Sequence, residues 1–388
     1  MNAARARRLW GATRAFVDPH QVGYVIVYVT NRCNFRCNFC FYGEEIEKGH
    51  KPDELTLDEH RRIAEKAGPL LQLSIGGGEP FLRRDLAAIV SAYIQATGVA
   101  YVSIPTNGWY TDRIESVVHD LAGGHPDTTF RIILSIEALG EEHDEVRSAP
   151  GSFARLRATH DRIGPLRARY QNLVLDQNAT FTARTERTLL DTLRGLDQAF
   201  EFDNLSVTYA RGSVPDPTLK QVSNESYVAI NEYLKARTRL REGRRLSPVV
   251  RSIYDLTREH LIRTVVNDEF VSPCVAGSKF AVISETGEVR PCEILPHRFG
   301  NLRDFDYDLH AVLRAAEARR TREWIVESKC RCSFECALTA NVVWNPRHYP
   351  ALAAATAGNA LRTWGRPSRV EQSGEAGVAA RPRTPPRS

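Results

Sequence analysis

The sequence predicts an α/β chain, a partial (β/α)6 TIM-like barrel followed by a small α+β domain. Three observations carry that expectation. Apolar strand-like runs alternate with amphipathic helical stripes between residues 23 and 212. A charged, helix-patterned stretch follows, and then a hairpin pattern bracketed by cysteines. Strands alternating with helices imply a parallel sheet with right-handed crossovers. The six runs are too few to close an eight-stranded barrel, so an open one is expected.

The strand-like runs are 24–29, 70–75, 99–104, 130–136, 173–181 and 204–209. Between the first two, Thr56-Leu57-Asp58-Glu59 reads as a capping box opening a helix that reaches Gly68-Pro69. Leu82, Leu86, Ile89, Val90, Tyr93 and Ile94 keep helical spacing up to Gly98. Ile114, Val117, Val118 and Leu121 form the next stripe. Phe153, Leu156 and Ile163 form another, and Leu189, Leu190, Leu193, Leu196 and Phe200 the last. Pro215 and Pro217 open a helical connector, 213–270, with helices expected at 227–240 and 253–266. Runs 280–284 and 288–294 around Glu285-Thr286-Gly287 read as a hairpin. The expected units are a basic extension 1–22, the core barrel 23–212, the connector 213–270, a second domain 271–345 and a tail 346–388. The tail turns to Ala, Gly, Arg, Pro and Ser and is expected to be disordered from about residue 366.

The chain has 388 residues, 42% hydrophobic and 26% charged, which is ordinary for a soluble globular protein. No apolar run approaches the ~20 residues of a membrane span. The N-terminus carries Arg5, Arg7, Arg8 and Arg14 without an apolar h-region, so it does not read as a secretory signal and a cytoplasmic protein is expected. The net charge of +5 comes with no aromatic-interleaved basic face, which argues against nucleic acid as a partner. Eight cysteines grouped as three plus five, without an export signal, favour metal ligation over disulfides.

Cys33, Cys37 and Cys40 are spaced C-x3-C-x2-C on one loop directly after the first strand, close enough in sequence to converge on one centre. A cubane of four irons usually takes four thiolates. With three from this loop, one iron keeps an open position, as catalytic metal sites do. The alternative is structural zinc, but zinc motifs pair C-x2-C with a second pair nearby, and the next cysteine is Cys274. A disulfide would leave an odd thiol. After the second run comes Gly76-Gly77-Gly78-Glu79-Pro80, whose glycines let a backbone approach a ligand closely. Glu79 alone could be a first-turn carboxylate facing a helix dipole. Thr106-Asn107-Gly108, Ser135 with Glu137, Asn178 with Thr180, and Tyr209 with Arg211 follow the remaining runs. Each could be turn chemistry, yet together they line the C-terminal mouth, where parallel barrels carry their chemistry.

C-x3-C-x-aromatic-C after one strand, with G-G-E-P after the next, resembles the radical S-adenosylmethionine (radical SAM) enzymes over most of residues 23–345. The resemblance implies a [4Fe-4S] cluster on Cys33, Cys37 and Cys40, with S-adenosylmethionine chelating the open iron through its amine and carboxylate. Electron transfer then cleaves the sulfonium to a 5′-deoxyadenosyl radical that abstracts a substrate hydrogen. A reducing flavodoxin or ferredoxin is the implied electron donor. By the same resemblance, Gly77, Gly78 and Glu79 meet the methionine amino group and Phe39 packs the adenine; Asn107, at the mouth after the third run, is expected to border the cofactor. Ser135-Ile136-Glu137 matches a ribose-contacting segment that is usually Ser-x-Asp, here one methylene longer. Arg147 resembles a partner for the methionine carboxylate, a surface arginine being the alternative.

The spacing Cys274-x12-Gly287-x4-Cys292 resembles the opening of the SPASM and twitch auxiliary-cluster domains found in many radical SAM enzymes. The closing segment departs from SPASM, because Cys330, Cys332 and Cys336 give only C-x-C-x3-C. Five thiols complete one cluster with one left over. The expected ligands of this second [4Fe-4S] cluster are Cys274, Cys292, Cys332 and Cys336, with Cys330 spare; a zinc knuckle is the alternative. An auxiliary cluster implies either a net oxidation or a structural role in shaping the substrate pocket. Residues 1–22 are too short for the leader-binding domain that peptide-modifying relatives often carry. A small polar metabolite of sugar, cyclitol or nucleoside type is therefore the expected substrate, and a ribosomally made peptide the alternative. A non-catalytic iron–sulfur sensor or electron carrier would keep the cysteines but have no use for Gly77, Gly78 and Glu79.

Overall fold

The computed structural model describes residues 13–18, 21–237 and 247–363. Strands β1 (Tyr24–Thr30), β2 (Gln72–Gly77), β3 (Tyr101–Thr106), β4 (Thr129–Ser135), β5 (Leu173–Phe181) and β6 (Asn204–Tyr209) form at the six expected runs, β2 and β3 starting and ending two residues later than expected. Each pairs in parallel with the next, and the sheet stays open, with β6 at one edge. Strand β1 is buried along its whole length. Its Val25, Val27 and Val29 pack into the core shared with the surrounding helices. Tyr24, Ile26 and Tyr28 join a second cluster with Phe280, Cys292, Phe334 and Trp344. A strand covered on both faces reads as a continuous apolar run, which is how residues 24–29 read.

The hairpin forms from β7 (Phe280–Ile283) and β8 (Glu288–Arg290), antiparallel as expected. Its placement differs from a free-standing unit. Strand β7 pairs in parallel with β1, from Tyr24 opposite Phe280 to Val27 opposite Ile283. With β9 (Gly300–Asn301) the sheet runs to nine strands in the order β6-β5-β4-β3-β2-β1-β7-β8-β9. Without β7, the buried β1 would be an edge with unpaired backbone groups. The partner of an edge so distant in sequence leaves no local signature.

The capping box is present: Glu59 N donates to Thr56 Oγ1 at 3.2 Å and Thr56 N to Glu59 Oε2 at 2.8 Å, opening helix Leu57–Lys66. The next helix starts later than expected, at Leu86, because Leu82 belongs to a separate 3-10 turn, Pro80–Leu82. Arg83 is extended there, and its guanidinium donates to the Val29 and Leu55 carbonyls at 2.9 and 2.7 Å and to Asp85. Those bonds brace the end of β1 where the cysteine loop begins.

Helices Asn224–Arg237 and Ser247–Val265 form the connector, both starting earlier than expected; residue 240, the expected end of the first, lies outside the described residues. Part of the expected tail is the helix Tyr349–Thr363, which packs on Ser247–Val265. Its alanine-rich sequence favours helix. The tail from residue 366, like Arg5, Arg7 and Arg8 of the basic extension, lies outside the described residues. No helix among the described residues is long and apolar enough to cross a membrane.

Candidate functional site

The cysteine loop leaves β1 and folds into consecutive tight turns, with Cys40 N donating to Cys37 O and Gly43 N to Cys40 O, both at 3.0 Å. Cys37 is buried, and Cys33 and Cys40 are half-buried. Burial pushes the Cys33 thiol up to about 11 and the Cys37 thiol up to about 12, while the Arg147 cation draws both back. Cys40 is raised by the same burial. Thiols in such surroundings keep their protons until a metal cation takes their place. Backbone N–H groups two positions on already point at the sulfurs: Phe35 N donates to Cys33 Sγ at 3.4 Å and Tyr42 N to Cys40. Hydrogen bonds to sulfur of this kind tune iron–sulfur clusters. The donor set therefore fits an iron–sulfur centre.

The glycine run closes on this loop directly. Gly78 N donates to Thr30 O and Glu79 N to Arg32 O, both at 2.8 Å. A Cβ on Gly78 would lie 2.1 Å from Arg32 O. One on Gly77, whose φ is +107°, would lie 2.2 Å from Thr30 O. What these glycines admit is the backbone of the cysteine loop, so the two motifs are one unit.

Glu79 is buried and accepts from Thr106 Oγ1 and Asn107 N at 2.8 Å each and from Phe81 N at 3.2 Å. Burial raises its carboxyl to about 7 despite these donors. Asn107 links it onward, its side-chain amide donating to Asn34 Oδ1 at 2.9 Å, between the first two cysteines. Phe39 is buried beside Cys37, and the Arg147 guanidinium carbon stands 5.6 Å from its ring centroid.

Arg147 is buried, against the alternative of a surface arginine, and forms a bidentate pair with Glu137. Both oxygens of Glu137 are thereby engaged, and Arg147 O accepts from Cys37 Sγ at 3.5 Å. Ser135 lies at the end of β4 opposite Asn178 of β5, at the same mouth.

Four of the five cysteines in the second group share a cavity. Cys274, Cys292, Cys330 and Cys332 line one cavity of about 100 Å³. Burial, with mutual repulsion as a smaller contribution, pushes the Cys274 and Cys292 thiols to about 12 and raises Cys332. Backbone N–H groups of Ala276, Ile294 and Phe334 point at Cys274, Cys292 and Cys332, repeating the pattern of the first loop. Cys336 does not line this cavity. It sits in the first turn of helix Glu335–Trp344, among Tyr24, Glu293 and Arg211. Sequence spacing favoured Cys336 because a C-x3-C pair looks like one ligand unit; in the structure Cys336 packs against the same apolar cluster as the other four thiols but outside the lining of their cavity. A tetrahedral zinc needs its donors on one ion. Among the described residues, no three or more His, Cys, Asp or Glu side chains are arranged to hold a single metal ion.

Residues 27–174 match the family model of the radical SAM superfamily. The chain carries a radical SAM domain. Such domains bind a [4Fe-4S] cluster and S-adenosylmethionine. Over 92 residues the chain is 37% identical to GTP 3′,8-cyclase of Tolumonas auensis, and over 86 residues 38% identical to that of Staphylococcus aureus. These matches cover 22% and 21% of the chain, and only 26% and 25% of the curated proteins. Among solved structures, anSMEcpe with bound AdoMet is similar at a TM-score of 0.55 and 16% identity, over 86% of this chain and 99% of that one. SuiB of Streptococcus suis bound to S-adenosylmethionine is similar at 0.52 and 18% identity, over 80% and 69%. SuiB has also been solved with its precursor peptide SuiA. At these identities the likeness to the solved structures is one of fold, and it extends past the radical SAM domain into the cysteine-bearing C-terminal region.

Sequence reasoning missed Asn34, Trp109 and Arg83 around the radical SAM loop. Trp109 packs edge-on against Phe35 at 5.7 Å. Asn34 lies within the cysteine motif and Trp109 two residues after Asn107, so nearness to the motifs was the available signal. Arg83 had none, because its role depends on carbonyls from two distant segments.

Proposed function

We propose that this chain is an enzyme that reductively cleaves S-adenosylmethionine and uses the resulting radical to abstract a hydrogen from a small polar metabolite, with net oxidation. The observation that carries the reading is the union of the thiol loop with Gly77-Gly78-Glu79 through the Gly78 N–Thr30 O and Glu79 N–Arg32 O bonds. When bound at Cys33, Cys37 and Cys40, the cluster supplies the electron that breaks the sulfonium bond. The chain's own residues bind and orient. Burial pushes the Glu79 carboxyl up to about 7, and an ammonium group docked against it would favour its charged, accepting form. Phe39 offers an apolar face to the adenine. Asn107 and Ser135 supply polar atoms at the mouth, and the Glu137–Arg147 pair presents a fixed dipole beside them. A reduced flavodoxin or ferredoxin is the inferred electron donor.

In the same reading a second [4Fe-4S] cluster is held by Cys274, Cys292, Cys330 and Cys332. The cavity these four share supports that set over the one containing Cys336. Held by these four thiols, a cluster would supply an electron acceptor for the oxidation of a substrate radical. A peptide substrate is the second reading, favoured by the fold likeness to SuiB, which has been solved with its precursor peptide.

The test is anaerobic reconstitution followed by reduction with S-adenosylmethionine present. The expected results are about eight irons per chain and formation of 5′-deoxyadenosine. Deuterium from a labelled sugar, cyclitol or nucleoside should then appear in that product. Deuterium transfer only from labelled peptides would replace the metabolite with the peptide, and absence of 5′-deoxyadenosine would overturn the enzyme reading.

A further inference from the structure

Arg211 stands just beyond β6, and three contacts surround its guanidinium. The guanidinium carbon lies 4.9 Å from the Phe41 ring centroid and 4.7 Å from that of Phe334. Nη2 donates to Glu293 Oε2 at 2.7 Å. The side chain is only 17% exposed, and its buried Nε has no hydrogen-bond partner.

Each contacted residue neighbours a cysteine. Phe41 follows Cys40, Glu293 follows Cys292, and Phe334 lies between Cys332 and Cys336. One planar cation therefore sits where the N-terminal thiol loop and the C-terminal thiol group meet. Stacking between two rings suits a guanidinium better than an ammonium.

We propose that Arg211 is a positioning residue shared by the two cysteine sites, fixing the Cys40 turn against the Cys292 and Cys332 segments and raising the reduction potential of a cluster at either one. The inference rests on the two-cluster reading above. Reduction adds one electron to a cluster, and a fixed cation in a poorly solvated setting stabilises the added charge. The Glu293 carboxylate partly offsets that charge, so removing Glu293 should act in the opposite sense to removing Arg211.

The test is a redox titration of the reconstituted protein, following the signal of each reduced cluster by electron paramagnetic resonance. In Arg211→Met both midpoint potentials should fall, each by about a tenfold change in the reduction equilibrium, or ~59 mV for a one-electron couple. Arg211→Lys keeps the charge and should recover most of the shift. Glu293→Gln should raise both potentials, and it carries the test if Arg211→Met loses its iron. Two clusters whose potentials ignore Arg211→Met and Glu293→Gln, or a shift confined to one cluster, would overturn the proposal alone. Parent protein holding a single four-iron cluster would overturn the two-cluster reading and the proposal with it.

Discussion

Arg147 grips Glu137 at two points: Nε donates to Oε2 at 2.6 Å and Nη2 to Oε1 at 2.8 Å, with the Glu137 side chain fully shielded from solvent. The pair joins the end of the fourth strand to the backbone beside Cys37. Removing one member of a buried ion pair leaves the other charge uncompensated. Glu137→Ala should therefore destabilise the protein by about 3–5 kcal/mol, read by chemical denaturation. Loss of less than about 1 kcal/mol would mean that the pair is solvated.

Glu79 gives the apoprotein a pH dependence of known sign. Its folded carboxyl titrates near 7, above the ordinary 4.5, because burial disfavours the charge. The folded state thus holds a proton that the unfolded state has released between these values, and stability falls as pH rises from about 4.5 to about 7. The contribution present below pH 4.5 is on the order of 3 kcal/mol. Glu79→Gln should flatten this part of the stability profile relative to the parent. An unchanged slope would place the titration elsewhere.

The glycine run should tolerate no side chain. Gly78→Ala would drive a methyl into Arg32 O, and Gly77→Ala would add a positive-φ penalty of about 1–3 kcal/mol. Both variants should fold less stably and retain less iron at the N-terminal site after reconstitution. Full iron retention at parental stability would show that the loop and glycine backbones do not meet as described.

The proposed second cluster makes Cys330 a ligand and Cys336 a bystander. Cys330→Ser should lower iron from about eight to about four per chain, whereas Cys336→Ser should keep about eight. The reverse result would restore the ligand set that the sequence spacing favours.

Much of this was legible in the chain. Residues 173–181 and 204–209 became strands with those bounds, because their alternating apolar side chains, Leu173, Leu175, Ala179 and Phe181 in one and Leu205, Val207 and Tyr209 in the other, face the shared core. Thr56 and Glu59 capped their helix as the local pattern required. The parts not legible depended on contacts between distant segments. No window around residue 280 reveals that β7 will lie beside β1, and nothing near Gly77 says that its neighbour is Thr30 O and not a ligand. That Cys336 falls in the first turn of a helix, outside the lining of the cavity the other four thiols share, was likewise not readable from spacing, because helix starts shift by one or two residues.

The most direct test of the central claim is electron–nuclear double resonance on the reduced N-terminal cluster, with S-adenosylmethionine carrying ¹⁷O in its carboxylate and ¹⁵N in its amine. Three protein thiolates leave one iron free, so both labels should couple magnetically to the cluster and Cys37→Ala should abolish the signal. A reduced cluster that shows no coupling to either label would mean that the polypeptide closes every iron, and the account would fail.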